Sequence, residues 1–415
     1  MSEKIKILVV PSDSFGVGHW RSIWPHTKLQ DLYGDDFDIE INMNPNWSDL
    51  PSFDKYDIIH FHKGVYQNMD EFRTALKYFK EHNITTIMDI DDYWDVGQFH
   101  PLFYSSRAMN LPEKITGNFP LVDYVTTTTE IFADKIKKFN KNVVVYPNAI
   151  DTNQEQFKPI KNPSDRIRFG FVMGSSHKRD MEQFQGVISC LGKDILDKIQ
   201  IVLCGYDLKG STTIIGKNGE VVGTRPIKPT ESVWFEYERN VTNNYKIVSP
   251  EYKDFLFKFL PEAQWPNVAN EPYRREWTKD LNSFGKHYRN IDVLLVPLET
   301  NQFSEVKSEL KFVEAGFTKT AVVATNFGPY TIGSKSIFKK GGGLDETGNC
   351  ILIDPAKKHK GWANAIKWLT NHPEYITLLQ NNMYEHVKDQ YNLETQTKRR
   401  AEWYKEIRKR NDVNE

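Results

Sequence analysis

Short β-branched apolar runs alternate with amphipathic helical stretches twice over along this chain, and that doubled alternation most narrows the fold. Candidate strands at 5–10, 39–43, 58–62, 85–89, 124–127 and 143–146 enclose helical patterns such as 69–82 and 130–139. A second series follows at 168–173, 200–204, 293–297, 321–324 and 350–353. Strand–helix alternation implies parallel strands with helices on both faces of the sheet. Two series predict an α/β protein of two doubly wound, Rossmann-like domains. Pro147-Asn148-Ala149-Ile150-Asp151 closes the first, and a polar stretch with Pro159 and Pro163 precedes Ile167, which places a hinge at about 151–166. The expected domains are 1–155 and 166–394. A charged helical stretch over 395–415 is then free to pack back on the first domain.

One region breaks the rhythm. Residues 207–289 far exceed a simple βα connection of roughly a dozen residues or fewer. They read as an insertion in the second domain, a hairpin plus one or two helices, with turn signals at Lys217-Asn218-Gly219 and Arg225-Pro226. Trp234, Tyr237, Trp265, Tyr273 and Trp277 make the insertion a candidate acceptor or partner surface, since such rings stack on sugars and bases. The plainer role for them is core.

Composition removes several classes. The 54 Lys+Arg and 55 Asp+Glu nearly cancel, which argues against chain-wide electrostatic binding of nucleic acid. Cys190, Cys204 and Cys350 are far apart and form no CxxC, so no disulfide framework or zinc ribbon is expected, and a reducing, cytoplasmic setting is. No apolar run approaches the ~18 residues of a membrane span. The first residues lack a small-residue cleavage site, so no signal peptide is read. Lys135, Lys137, Lys138 and Lys141 form a basic stretch suited to peripheral contact with a membrane surface or, more plainly, to a solvated helix face.

In open α/β sheets ligands bind beyond the carboxyl ends of the strands. Gly16 and Gly18 follow the first strand, but Arg21 stands where a dinucleotide fingerprint needs its third glycine, so NAD binding is disfavoured. His60 and His62 share one face of the third strand, with His62 nearer its end. No third metal ligand follows at a suitable spacing. Asp89, Asp91 and Asp92 invite either a metal or helix-capping role. Gly174, Ser175, Ser176, His177, Lys178 and Arg179 combine a small-residue turn with cations at a helix start, which suits a diphosphate. The segment 301–316 reads as one helix. On it Lys307, Lys311 and Glu314 recur at i, i+4 and i+7 on one face. Lys307 and Ser308 would meet phosphate at the helix start, and Glu314, about 10 Å further along, would bond ribose hydroxyls.

These residues resemble the two-Rossmann-domain, B-type nucleotide-sugar glycosyltransferases, particularly the family-four-like group. Asp57-Ile-Ile-His-Phe-His62 looks like its D-[VI]-[VI]-H-x-H strand, and Val125-Thr-Thr-Thr-Thr-Glu130 like its V-T-x-S/T-x turn. Tyr146-Pro-Asn-Ala-Ile-Asp151 is similar to its P-N-G/A-[VI]-D interdomain segment. Asn290–Leu298 and Glu314–Ala324 resemble A-D-[VI]-x-[VL]-x-P and E-A-x-A-x-G-x-P-V-V-A. Phe303–Lys311 fits a subgroup pattern, F-x-x-x-K-S-x-L-K, and Gly174, Ser175, His177 and Asp180 loosely fit its G-S-x-x-H-x-x-D. Val306 stands where the family usually has an acid, and Lys319 and Ala321 replace its glycine and proline.

The resemblance implies two domains facing across a cleft, the first on the acceptor side and the second binding the nucleotide-sugar and carrying the insertion. It implies transfer from a UDP-sugar, or a GDP-sugar as the second choice, with retention, without metal and with no tightly bound cofactor. Glu314 would hold ribose. Lys307, Ser308, Gly174 and Ser175 would contact phosphate. Gly16 and Gly18 would lie near the leaving group, and His62 would touch the transferred sugar or acceptor. Ser176, His177, Lys178, Arg179, Phe303 and Lys311 complete the expected donor set. The acceptor is left open among polysaccharide, lipid-linked sugar, protein and modified nucleic acid. Competing readings are a nucleotide-sugar epimerase or a phosphorylase on the same fold, and a degenerate, non-catalytic glycan- or partner-binding protein.

Overall fold

The computed structural model describes residues 3–98, 100–215 and 221–414. The Lys217-Asn218-Gly219 turn signal lies outside the described residues. The chain divides into two compact units. The first comprises Met1–Gln154, Thr300–Val313 and Val387–Glu415; the second comprises Glu155–Glu299 and Glu314–His386. The first therefore takes in segments, at 300–313 and 387–394, that the strand series assigned to the second domain.

In the first unit the strands are β1 (Ile5–Val10), β2 (Phe37–Ile41), β3 (Ile58–His62), β4 (Thr85–Ile90), β5 (Tyr124–Thr127) and β6 (Val143–Val145). They pair in the order β2-β1-β3-β4-β5-β6, all in parallel. β3 and β4 are buried along their whole length, as a sheet covered on both faces requires. The helix Met69–Glu81 shows how the cover is made. Phe72, Ala75, Leu76 and Phe79 line its buried side at helical spacing. Asn68 caps it by accepting from the Asp70 and Glu71 N–H groups. The C-terminal helix Leu393–Asn414 also belongs to this unit, placing Ala401, Tyr404 and Ile407 in a core with Ile7, Val9 and Leu29.

The second unit repeats the plan. β7 (Ile167–Val172), β8 (Ile199–Tyr206), β11 (Tyr273–Trp277), β12 (Val293–Val296), β13 (Ala321–Thr325) and β14 (Ile351–Ile353) form a second six-stranded sheet. Its order is β11-β8-β7-β12-β13-β14, again parallel. β9 (Ser211–Ile215) and β10 (Val221–Pro226) make a separate antiparallel hairpin, followed by the helices Val233–Val241 and Pro250–Phe257.

β11 corrects the extent of the insertion. The region expected to be inserted up to 289 contains a strand of the main sheet, so the departure from a simple βα unit ends near Pro272. Tyr273-Arg-Arg-Glu-Trp277 carries too much charge to read as a buried strand. Its charges are neutralised inside the fold: the Arg275 guanidinium donates to both oxygens of Glu238, at 2.8 and 2.6 Å. Tyr245 and Tyr273 donate to the same carboxylate. A buried ion pair needs this completeness to offset its desolvation.

Of the two roles open to the insertion aromatics, the packing favours core over a stacking surface. Trp234, Tyr237 and Tyr273 are buried in the second unit's core, with Trp265 and Trp277 packed against it.

Candidate functional site

Strand order reverses around β1 in the first unit and around β7 in the second. The loops beyond these strands therefore mark each unit's ligand-binding edge.

In the first unit, Asp13 organises the loop after β1. Its Oδ1 accepts from the N–H groups of Phe15 (2.8 Å) and Gly18 (3.1 Å). Burial works against its charge, but these donors hold the carboxyl below its usual range. Gly18 is demanded by this turn, because a Cβ there would lie 1.8 Å from the Asp13 carbonyl oxygen; at Gly16 a Cβ would meet nothing within 4 Å. Gly18 is thus fixed by its own loop, and Gly16 is the open position. A π-helical turn over His19–Ile23 follows, a local irregularity often found at functional sites.

That turn carries Arg21 inward, where it is buried. Its Nε and Nη2 donate to Asp89 at 2.9 and 2.8 Å, and its Nη1 donates to the Tyr146 carbonyl (2.7 Å) and Asn148 Oδ1 (3.0 Å). Thr126 donates to Asp89 as well. Arg21 ties the loop after β1, the end of β4 and the Pro147-Asn148 segment together. Asn148 also donates to Ser308 Oγ at 3.1 Å. The Pro-Asn-Ala-Ile-Asp motif thus acts as a clamp, which its sequence did not disclose.

His62 ends β3 and is buried. Its Nδ1 lies 2.7 Å from Ser12 Oγ and its Nε2 lies 3.0 Å from Asp91 Oδ1. Lys63, which no sequence motif marks, follows in the left-handed region with Gly64 (φ 59° and 62°). Its Nζ sits 3.1 Å from Asp91 and 3.9 Å from Asp92. Burial opposes the ammonium, yet the two carboxylates hold it above the usual lysine range. Asp91 is likewise desolvated but kept well below its normal range by Lys63 and His62. Asp92 is pushed up by burial and by Asp91. His60 packs against the His26 ring, 4.7 Å away, and burial keeps it neutral by lowering it well below the usual histidine range.

The segment expected as one helix is broken. It forms Gln302–Glu305 and then Leu310–Phe317, with residues 307–309 non-helical. Val306 accounts for the break: it is fully buried in the first unit's core cluster, which also holds Phe132 and Val125, so the chain turns inward there. Lys307 and Ser308 therefore precede the helix, and only Lys311 and Glu314 share its surface. Lys307 Nζ lies 5.3 Å from the centre of the Phe303 ring, which in turn packs on His100. Glu309 accepts from the Tyr391 hydroxyl at 2.7 Å through Oε1, while its buried Oε2 has no partner. Burial lifts this carboxyl to about 7.

In the second unit, Glu314 is buried and its Oε2 accepts from the Tyr288 hydroxyl at 2.6 Å. Tyr288 is a neighbour no sequence pattern indicated. Gly174, Ser175 and Ser176 form an exposed turn after β7, and the Ser175 carbonyl accepts from Tyr237. The helix they lead into, Lys178–Glu182, has only five residues. Asp180 joins the loops after β7 and β12, since its two oxygens contact His177 Nδ1 (2.6 Å) and the Glu299 N–H (2.6 Å). Lys178 pairs with Glu236 at 2.9 Å, and Arg179 pairs with Glu182 at 2.6 Å. These two cations are already matched to carboxylates.

Among the described residues, one group of potential metal ligands converges: buried Cys204, Glu276 and His287. Glu276 lies 2.6 Å from His287 Nδ1. Burial opposes its charge, but His287 and Arg274 hold it at about 2. No helix among the described residues is long and apolar enough to cross a membrane.

No family model and no curated protein matches the sequence. Solved structures do match in fold. A sucrose-phosphate synthase from Thermosynechococcus elongatus is 13% identical, with a TM-score of 0.59 over 98% of this chain and 99% of that one. Anabaena HepE in complex with UDP-glucose is 11% identical, with a TM-score of 0.60 over 97% and 100%. The catalytic domain of starch synthase IV from Arabidopsis thaliana, bound to ADP and acarbose, is 10% identical, with a TM-score of 0.55 over 97% and 99%. The chain has the two-Rossmann-domain fold of these B-type glycosyltransferases.

Proposed function

We propose that this protein is a glycosyltransferase that moves a sugar from a nucleotide-sugar, a UDP-sugar in preference to a GDP-sugar, to an acceptor hydroxyl. The observation that carries the reading is the fold likeness along nearly the whole chain to enzymes that include one solved with UDP-glucose. The motif resemblance supports the finer assignments, including retention, no metal and no tightly bound cofactor. Glu314 takes the ribose hydroxyls after its Tyr288 hydrogen bond rearranges. The exposed Gly174-Ser175-Ser176 turn offers backbone N–H groups to the diphosphate. Lys307 and Ser308, on the non-helical approach to the Glu314 helix, supply a cation and a hydroxyl. Lys307 suits this role because no carboxylate among the described residues closes an ion pair on it, unlike Lys178 and Arg179, although its charge reaches Asp92.

In the reaction the anomeric C–O bond to the diphosphate breaks and UDP leaves with the electron pair. A C–O bond to the acceptor oxygen forms, and the acceptor's proton is released. Positive charge aimed at the departing diphosphate lowers that barrier. His62, held by Ser12 and Asp91, stands at the ligand edge of the first unit for the sugar or acceptor. A cytoplasmic location is proposed from the three unpaired cysteines.

The test is product analysis with UDP-glucose. Slow release of UDP and free glucose without acceptor supports a transferase. Conversion to another UDP-hexose without UDP release indicates an epimerase. No binding of any nucleotide-sugar indicates a non-catalytic protein.

A further inference from the structure

An open hollow of about 880 Å³ lies in the first unit, between the loop after β2 and the loop after β3. It opens at the carboxyl edge of the sheet, the edge that also carries His62 at the end of β3. Its volume falls within the ~300–1,000 Å³ span of ligand clefts.

The lining has a distinct chemistry. Asn44, Asn46, Gln67 and Asn68 contribute four carboxamides, with Asp70 and Glu71 beside them; all six residues are exposed. Much of their bonding capacity is unused. Asn46 spends its oxygen on the Ser48 N–H, and Asn68 spends its oxygen on the Asp70 and Glu71 N–H groups. Their amide NH₂ groups are left to donate outward. The Asn44 and Gln67 side chains have no protein partner among the described residues, so each offers both a donor and an acceptor.

The floor beneath is rigid. Trp47 stacks on Phe53 with ring centres 5.5 Å apart and planes within 5°. It also contacts Phe72 and Tyr66 at 4.9 Å, and Tyr66 packs on Phe72 at 4.6 Å. The left-handed Lys63-Gly64 pair directs the chain into this loop, and Asn118 holds the Gly64 carbonyl at 2.7 Å. Groups presented from a fixed frame lose little entropy on binding.

Ligand classes separate on this lining. A phosphate or an anionic lipid surface needs cations, but one lysine, Lys114, faces two carboxylates. An apolar ligand would strip water from six polar side chains without replacing their hydrogen bonds. A neutral saccharide fits: each hydroxyl both donates and accepts, and adjacent hydroxyl pairs match the paired donor and acceptor of a carboxamide. The partly exposed Tyr66 ring offers an apolar surface for a sugar's C–H face.

We propose that this hollow is an acceptor subsite that holds a neutral oligosaccharide chain, with Asn44 and Gln67 as its main polar contacts. The proposal rests on the transferase reading and narrows its acceptor class.

The test uses neutral linear tetrasaccharides of the gluco, manno and galacto series, an acidic tetrasaccharide, a neutral tetrapeptide and vesicles containing anionic lipid. Binding is measured by titration calorimetry with wild type and the double variant Asn44→Ala/Gln67→Ala. Both substitutions are on exposed loop positions, and thermal melts check the fold. The expected result is saturable binding of at least one neutral series, weakened about tenfold or more in the variant, as losing two or so hydrogen bonds would give. Four results overturn the subsite: no binding by any neutral series, equal affinity in the variant, preference for the acidic sugar or vesicles, or preference for the peptide. UDP-glucose binding by the wild type is measured separately. Its presence alongside failed saccharide binding sinks only the subsite; its absence sinks the transferase reading.

Discussion

Replacing Glu309 by glutamine isolates one buried titration. One oxygen of the carboxyl accepts from Tyr391, and the other is buried with no partner beyond the pull of the residue's own backbone N–H. Burial raises it from 4.5 to about 7, against smaller opposing effects of Tyr391, its own backbone N–H and Arg21. A carboxyl raised in the folded state binds more protons folded than unfolded between these two values. Stability therefore falls as pH rises through that window. The thermodynamic cost of this one group is about 1 kcal/mol at pH 5.5 and about 3 kcal/mol at pH 8.5, so wild type should lose about 2 kcal/mol between them. Glu309→Gln cannot titrate. Any constant penalty from its amide cancels in the comparison of the two pH values. Urea unfolding of both proteins at pH 5.5 and 8.5 checks this: the wild-type minus variant difference should change by about 2 kcal/mol, with wild type relatively weaker at pH 8.5. A change below about 0.5 kcal/mol would refute the argument that this carboxyl is buried and uncompensated.

Gly18→Ala should destabilise by about 2 kcal/mol or more, because the added Cβ meets the Asp13 carbonyl at 1.8 Å, whereas Gly16→Ala should stay within about 0.5 kcal/mol; thermal melts of the pair separate loop packing from ligand approach. Arg21→Met strands the fully buried Asp89 and should cost about 3–5 kcal/mol in urea unfolding. Lys161→Met removes the donor to the Tyr288 and Ile291 carbonyls and to Thr320 Oγ1. The Tyr288 carbonyl keeps the Ile291 N–H and Thr320 Oγ1 keeps Thr318, so the loss falls mainly on the Ile291 carbonyl and should cost about 1–3 kcal/mol, read by the same method.

The apolar strands were legible because both faces of each sheet are covered, so β12 and β13 read as nearly continuous hydrophobic runs, and β1, β3 and β7 as apolar runs interrupted only by Lys6, by His60 and His62, and by Arg168. β11 was not, because Arg275 and Glu276 are buried only by virtue of Glu238 and His287, partners distant in sequence. The 301–316 segment kept helical periodicity on both sides of Val306, and only the tertiary burial of that side chain breaks it. Glu314 was found from its motif, but Tyr288 was not, since their contact spans 26 residues with no repeating pattern. Lys63 escaped notice for a similar reason: its importance comes from Asp91 and Asp92 on the neighbouring strand end. For the insertion aromatics the plainer of the two readings, core, is the one the packing bears out, because composition alone does not distinguish a stacking surface from a core.

The central claim is that the segment from Lys307 to Glu314 holds a nucleotide-sugar. Calorimetric titration of UDP-glucose into wild type, Lys307→Ala and Glu314→Ala tests it most directly. The account predicts saturable binding to wild type and at least a tenfold loss, about 1.4 kcal/mol, in each folded variant. Wild-type affinity in both variants would contradict it.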